Sequence, residues 1–204
     1  MALWALGFAK LNLMEKPHLT YSQSFFCRPT LKVARDLIGV TLNRRLSTGE
    51  VLAATISEVE AYTADDPACH AYKGETKRCQ VLFGPPGLAY VYFIYGMYYC
   101  LNVVTEPQGI AGAVLIRGLS AAGLDGPGKI CREWQIDGTF NGTSLLDPNS
   151  PLWLSQPLEK VKHKIGVSPR IGISKATDRM WRFFLDSNGN GKNRLKAAQS
   201  RTAK

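Results

Sequence analysis

The chain has 204 residues, 45% of them apolar and 20% charged, with a formal net charge of +9 at pH 7. That length favours one domain with its own core, and the composition is that of an ordinary globular protein. No apolar run reaches the ~18 residues of a membrane-spanning helix, and the apolar opening MALWALGFAKLNLM lacks a basic start and is broken by Lys10, unlike a secretory signal.

Met14 is an alternative start, which would make residues 1–13 an upstream extension. SFFCRPTLKVARDLIG (24–39) predicts a short helix, with Pro29 near its start, Val33, Leu37 and Ile38 on one stripe and Gly39 as its stop. VTLNRRL begins a strand, STGE turns, and VLAATISEVEAY (51–62) predicts a long strand. DDPACHAYKGETKR (65–78) reads as a polar, basic loop and FGPPG (83–87) as a hard turn.

LAYVYFIYGMYYCLNVV (88–104) predicts two β arms meeting near Tyr95-Gly96-Met97. Five of the chain's eight tyrosines fall between Tyr90 and Tyr99. Period-2 alternation puts Tyr90 and Tyr92 on one face of the first arm, and Cys100, Asn102 and Val104 on one face of the second. Tyr95 falls where the chain reverses, so its ring can project beyond the sheet. AGAVLIRGL (111–119) is a further buried strand that carries Arg117, and GPGKICREWQI (126–136) a Gly-rich turn entering a helix. From Asp137 to Pro157 the chain reads as loop-rich; SPRIGISKATDRMWRFFL (168–185) predicts two short strands, and 187–204 a mobile basic tail. No internal repeat is visible.

Up to residue 158 the sequence holds 13 basic and 13 acidic residues; from Glu159 onward it holds 12 and 3. A one-sided basic surface is what a phosphate backbone attracts, and it is equally the mark of a solubilising tail. Five cysteines form an odd count without a CxxC pair. That points to reduced thiols, and against a disulfide framework or a zinc site. The expected compartment is cytosolic, without secretion, so Asn141-Gly142-Thr143 reads as a turn and not as a glycosylation site.

In ISEVEAY, Glu58, Glu60 and Tyr62 alternate and so point to one side of the strand. Either that face is solvated, or it presents a general base to a pocket with the tyrosine as one wall. A sugar hydrolase needs two carboxylates facing each other ~5–9 Å apart across a cleft, which neighbours on one strand do not provide. Arg117 ends an apolar strand. It either emerges into water or is buried and paired, and a carboxylate such as Glu60 is then its natural partner. His70 beside Cys69 reads as a structural or solvated loop histidine, or as a hydrogen-bonding group; adjacent residues face opposite ways, so the two do not form a nucleophilic pair. GLDGPGKI (123–130) nearly spells a nucleotide-binding loop but has Ile130 where the magnesium-binding hydroxyl belongs. Its glycines and Lys129 suit a single phosphate.

Together these stretches resemble the alkyladenine (3-methyladenine) DNA glycosylase family. RPTLKVARDLIG, EVEAY with a histidine ten positions past its second Glu, LAYVYFIYGMYYCLNVV, AVLIR and GPGK carry the resemblance, with a weaker match in PRIGISKATDRMWRFF. They run in family order over roughly residues 25–185.

The resemblance implies a monofunctional enzyme that flips an alkylated or deaminated purine out of duplex DNA and hydrolyses its N-glycosidic bond, leaving an abasic site. Glu60 then corresponds to the general base that activates water, and Arg117 to the arginine that orients it. Tyr62, His70, Tyr92 and Asn102 correspond to the base pocket, Asn102 crowding the exocyclic amino group of guanine. Tyr95 corresponds to the wedge that enters the duplex; Met97 and Tyr90 more loosely match DNA-facing positions, and Lys129 a backbone contact. No metal or cofactor is implied, and the expected partner is damaged double-stranded DNA bound by a monomer.

The expected architecture is one mixed α+β domain (23–186) with a curved, mainly antiparallel sheet, a protruding Tyr-rich β-hairpin and a few short helices, after a poorly ordered extension (1–22). Two departures stand out: a connection of only eight residues between Arg117 and Gly126, and SNGNGKNR where a further strand would follow Leu185. The competing reading is a non-catalytic nucleic-acid-binding module that uses the tyrosines as a stacking platform. A passive binder of that kind has no need of Glu60 and Arg117.

Overall fold

A computed structural model describes residues 20–157 and 164–186. The expected N-terminal extension falls outside the described residues except for Thr20, Tyr21 and Ser22, and the basic tail falls wholly outside them.

The first predicted helix is two. One turn, α1 (Gln23–Phe26), precedes α2 (Thr30–Leu37). Pro29 separates them because its ring fixes φ and it has no N–H to donate. No side chain next to α2 caps its first turn; the Glu106 carboxylate does so from a distant loop, accepting from the Thr30 backbone N–H at 2.5 Å. Val33 and Leu37 are fully buried, each such side chain contributing ~1.5–3 kcal/mol of apolar burial. Gly39, at φ 96°, turns the chain into the sheet.

The strands are β1 (Thr41–Arg45), β2 (Val51–Thr63), β3 (Ala89–Ile94), β4 (Tyr98–Val104), β5 (Gly112–Leu119), β6 (Leu152–Ser155), β7 (Ile165–Ser168) and β8 (Arg182–Leu185). The third helix, α3 (Pro127–Glu133), follows β5. The strand order is β3-β4-β5-β2-β1-β6, with β8 pairing both β2 and β7, and every pairing is antiparallel. β2 is the spine of this curled half-barrel. Its first half pairs with β1 and its second half with β5 and β8, and the register breaks on both sides of Glu58, where the strand bends. Helix α2 packs on β2 and β5, and α3 on β4 and β5. The expected single α+β domain with few short helices is what the structure has.

One local expectation needs correction, and two stretches gain detail. The loop-rich stretch 137–157 also carries regular structure. It holds a short 3-10 helix, Gly138–Phe140, and β6, which pairs with β1 through Leu42 opposite Leu154. Of the two strands expected in 168–185 only β8 lies there; the other, β7, ends at Ser168, and Pro169 to Trp181 form an irregular loop. A 3-10 turn, Gln80–Phe83, joins the expected loop 65–78 to the turn at 83–87. The short connection after Arg117 is a tight turn that leads directly towards α3, closed by the Leu119 N–H donating to the Leu124 carbonyl at 2.9 Å.

Candidate active site

The inner faces of β3, β4, β5 and β2 line one cavity of about 750 Å³. Alternation along four strands builds it. Tyr90 lies opposite Asn102, Tyr92 opposite Cys100, Asn102 opposite Leu115, Leu115 opposite Glu60 and Ala113 opposite Tyr62. Tyr90 with Tyr92, and Cys100 with Asn102, share a face as period 2 places them, and that face lines the cavity.

Glu60 sits behind this wall, fully buried. Its Oε2 accepts from the Tyr62 hydroxyl at 2.8 Å and from Arg117 Nη1 at 3.4 Å; its Oε1 accepts from the Ile171 backbone N–H at 2.7 Å and lies 3.3 Å from Arg117 Nε. Tyr62, Arg117 and Ile171 all line the cavity. The solvated-face reading of ISEVEAY is excluded for Glu60, and Arg117 is paired and only part-buried, its side chain 14% exposed. Burial works against the charge of Arg117, but Glu60 and then Glu58 outweigh it and raise its pKa above the ordinary value. Burial first, then the charge and accepting bond of Glu60, push the Tyr62 phenol far above its usual range, so it stays a donor.

His70 Nδ1 lies 2.9 Å from the Tyr90 hydroxyl, and its ring meets Tyr92 edge-on with centroids 4.5 Å apart. Tyr90 and Tyr92 lie 5.4 Å apart and tilted by 35°. Tyr90 is only 2% exposed. It shares the pocket wall with His70 and Tyr92, and its phenol is pushed up to about 12 by burial first and by neighbouring thiols. Asn102 is buried and donates from Nδ2 to the Tyr90 carbonyl at 3.0 Å, which fixes its amide in the wall.

At the mouth the side chains are open. Tyr95 is 74% and Met97 65% exposed. The Met97 N–H donates to the Ile94 carbonyl at 3.2 Å, and Tyr95 and Gly96 have φ of 55° and 65°. Both central residues are thus left-handed, the type I′ turn that suits a β-hairpin. Lys129 lies at the cavity rim, exposed, and pairs with Asp125 at 2.7 Å. Gly128 lets α3 approach the mouth, because a Cβ there would stand 3.0 Å from the Tyr98 ring.

Sequence reasoning missed the Ile171 N–H, which has no side-chain signal, and the pairing of Arg182 with Glu58 at 2.7 Å. All five cysteines are free thiols, four of them buried. Among the described residues no helix is long and apolar enough to cross a membrane.

Comparison with known proteins supplies the family. Residues 24–189 match the family described as Methylpurine-DNA glycosylase. Relatives named as candidate 3-methyladenine DNA glycosylases include one from Trichodesmium erythraeum, 44% identical over 181 residues that cover 78% of this chain and 90% of the relative. One from Wolbachia pipientis subsp. Culex pipiens is 46% identical, covering 79% of this chain and 87% of the relative. One from Carboxydothermus hydrogenoformans is 42% identical, covering 81% and 95%. On these grounds the chain belongs to the methylpurine-DNA glycosylase family.

Proposed function

We propose that this protein excises alkylated or deaminated purines from duplex DNA, taking the flipped nucleotide into the cavity and hydrolysing its N-glycosidic bond with a water activated by Glu60. The observation that carries this reading is the Glu60 carboxylate, sealed behind an aromatic cavity yet bonded to three of its lining residues. A passive stacking platform has no use for such an arrangement, because burying ions costs several kcal/mol each.

A base inside a duplex is unreachable, so it must be extruded and its stacking replaced. Tyr95 at the exposed tip fills the gap, with Met97 beside it against the duplex, while Lys129 at the rim meets the phosphate backbone. Inside, Tyr62, His70 and Tyr92 bound the planar purine. Electron-rich rings favour a cationic alkylated base over its neutral counterpart, and Asn102 crowds the exocyclic amino group of guanine.

The water oxygen then bonds to C1′ as the C1′–N bond breaks, and the base departs with the electron pair. For a cationic purine that departure discharges the ring, so no acid is required; a neutral purine such as hypoxanthine departs as its anion and takes up a proton from solvent. Glu60 takes the water proton, and Arg117 remains charged and keeps the carboxylate aimed. The products are a free base and an abasic site in an unbroken strand. Every group used comes from one chain, so a monomer is a complete enzyme.

The test is a duplex carrying one hypoxanthine or ethenoadenine, incubated with protein and then treated with alkali to cut abasic sites. Wild type yields breaks only after alkali, and Glu60→Gln yields none. Wild type that releases no alkylated or deaminated purine would favour the stacking platform.

A further inference from the structure

The mechanism above leaves a second, part-buried carboxylate and a second guanidinium unused. Glu58 stands two residues before Glu60 on β2, at the point where the register against β5 shifts. Gly118 opposite it makes the bend possible, because a Cβ there would lie 3.1 Å from both Glu58 Cβ and Ser57 Oγ. The bend leaves Glu58 beside the same guanidinium that holds Glu60. Arg117 Nε donates to Glu58 Oε1 at 3.2 Å while its Nη1 donates to Glu60 Oε2 at 3.4 Å, so one guanidinium is shared between two acids. On the far side, Arg182 Nε donates to Glu58 Oε1 at 2.7 Å, and its Nη1 donates to Ser168 Oγ at 2.8 Å. Arg182 is 4% exposed and lies opposite Glu60 in the β2–β8 pairing.

The result is an alternating row, Arg182–Glu58–Arg117–Glu60, with no net charge. Burying a second ion pair adds desolvation cost, and Arg117 alone already neutralises Glu60. What the extra pair does is set how strongly Arg117 binds the base. Without Glu58, Arg117 turns wholly to Glu60, and Arg182 adds an uncompensated positive charge nearby; both favour the ionised carboxylate and weaken it as a proton acceptor. Without Arg182, Glu58 competes more strongly for Arg117, with the opposite effect.

We propose that Glu58 and Arg182 are positioning residues for the glycosylase reaction: Glu58 shares Arg117 with Glu60 and so sets how firmly the guanidinium holds the Glu60 carboxylate, and Arg182 limits how far Glu58 does so. This rests on the reading of Glu60 as the general base. Glu58 itself remains ionised, since burial works against its charge but the hydrogen bond and charge of Arg182, then those of Arg117, hold its carboxyl below the usual carboxylate range. The other titratable or charged groups that face Glu60 are Tyr62 on its own strand, Tyr92 on β3, Cys100 on β4 and Arg170 in the loop after β7. None of these changes in the variants below.

The experiment is single-turnover base release from a hypoxanthine duplex, followed down the acid side of the pH–rate profile, for wild type, Glu58→Gln, Arg182→Gln and the double variant, with thermal unfolding of each. Glu58→Gln moves the midpoint of the acid limb down by about one pH unit and lowers the plateau rate. Arg182→Gln moves the midpoint up, and the charge-balanced double variant returns it towards wild type. A merely structural role changes unfolding and leaves the midpoint in place. An unmoved midpoint in folded Glu58→Gln, or shifts of the same sign in the two single variants, overturns the proposal. If either glutamine variant fails to fold, Glu58→Asp decides: it keeps the charge on a shorter arm and must keep the midpoint, and a moved midpoint overturns the proposal. Wild type that releases no base overturns the glycosylase reading itself, and this one with it.

Discussion

Arg170 and Asp66 meet as a fully buried ion pair that ties the loop after β7 to the loop after β2. Arg170 Nη2 donates to Asp66 Oδ1 at 3.0 Å, and Nη1 donates to the Ala61 carbonyl at 2.9 Å. The guanidinium carbon lies 4.6 Å from the centre of the Tyr62 ring and 5.2 Å from that of Trp181. The next residue, Ile171, gives its N–H to Glu60. One arginine thus sets both the tilt of a pocket wall and the position of a donor on the catalytic candidate.

Asp66→Ala leaves that arginine buried without its counter-charge. Removing one partner of a buried pair costs about 3–5 kcal/mol, so the urea midpoint of unfolding should fall by a corresponding amount. Folded protein at low temperature should also release base more slowly, because Ile171 is no longer held against Glu60. An unaltered unfolding midpoint would show that the pair does not anchor the loop.

Tyr95 is under two opposed demands. A bulky residue at φ 55° carries backbone strain, on the order of 1–3 kcal/mol, yet the exposed tip is where a wedge belongs. Tyr95→Gly should therefore stabilise the protein by about 1 kcal/mol while weakening binding to lesion-containing duplex by about 1–3 kcal/mol, the size of one stacking contact. Tyr95→Ala should lose the affinity without gaining the stability. Equal affinity of all three for lesion DNA would remove Tyr95 from the duplex.

Much of the pocket was legible in the sequence because it is made by alternation. Tyr90, Tyr92, Cys100 and Asn102 share a face at period 2, and the same rule brings Glu60 and Tyr62 to it from β2. What sequence reading missed comes from places where no period operates. Pro169 to Trp181 form an irregular loop, so the Ile171 N–H and the Arg170–Asp66 pair depend on contacts between residues more than 100 positions apart. β6 was hidden because its four residues follow a Pro- and Asn-containing turn and gain their partner, β1, only in the folded sheet. Alternation also gives a face without saying how deep along the strand the cavity runs, so the contact of Tyr90 with His70 was not legible either.

Asn102 is held so that its amide cannot swing away from an incoming base, since Nδ2 donates to the Tyr90 carbonyl. Asn102→Ser shortens the side chain and opens that space. Release of guanine from undamaged duplex should rise, while stability falls by about 1 kcal/mol for the lost hydrogen bond. Guanine release at the wild-type level would take Asn102 out of base discrimination.

His70 should remain neutral at pH 7, which matters for a pocket that is to hold a cationic purine. Burial, and after it the charge of Arg78, lower its pKa from the ordinary value. The sign for stability follows from proton counts: the unfolded chain takes up a proton near pH ~6.5, whereas the folded one does so only at lower pH. Between those values the unfolded state binds more protons, so stability falls as the pH drops through that window and is fully present above it. The ring keeps an exposed edge, so this change is small and the residue itself is the better readout. In an NMR titration the His70 ring protons should show a midpoint below ~6.5, and Arg78→Ala should move it upward. A wild-type midpoint at or above that value would put a positive charge on the pocket wall beside Tyr92, and a cationic base would then be repelled where the aromatic faces are meant to attract it.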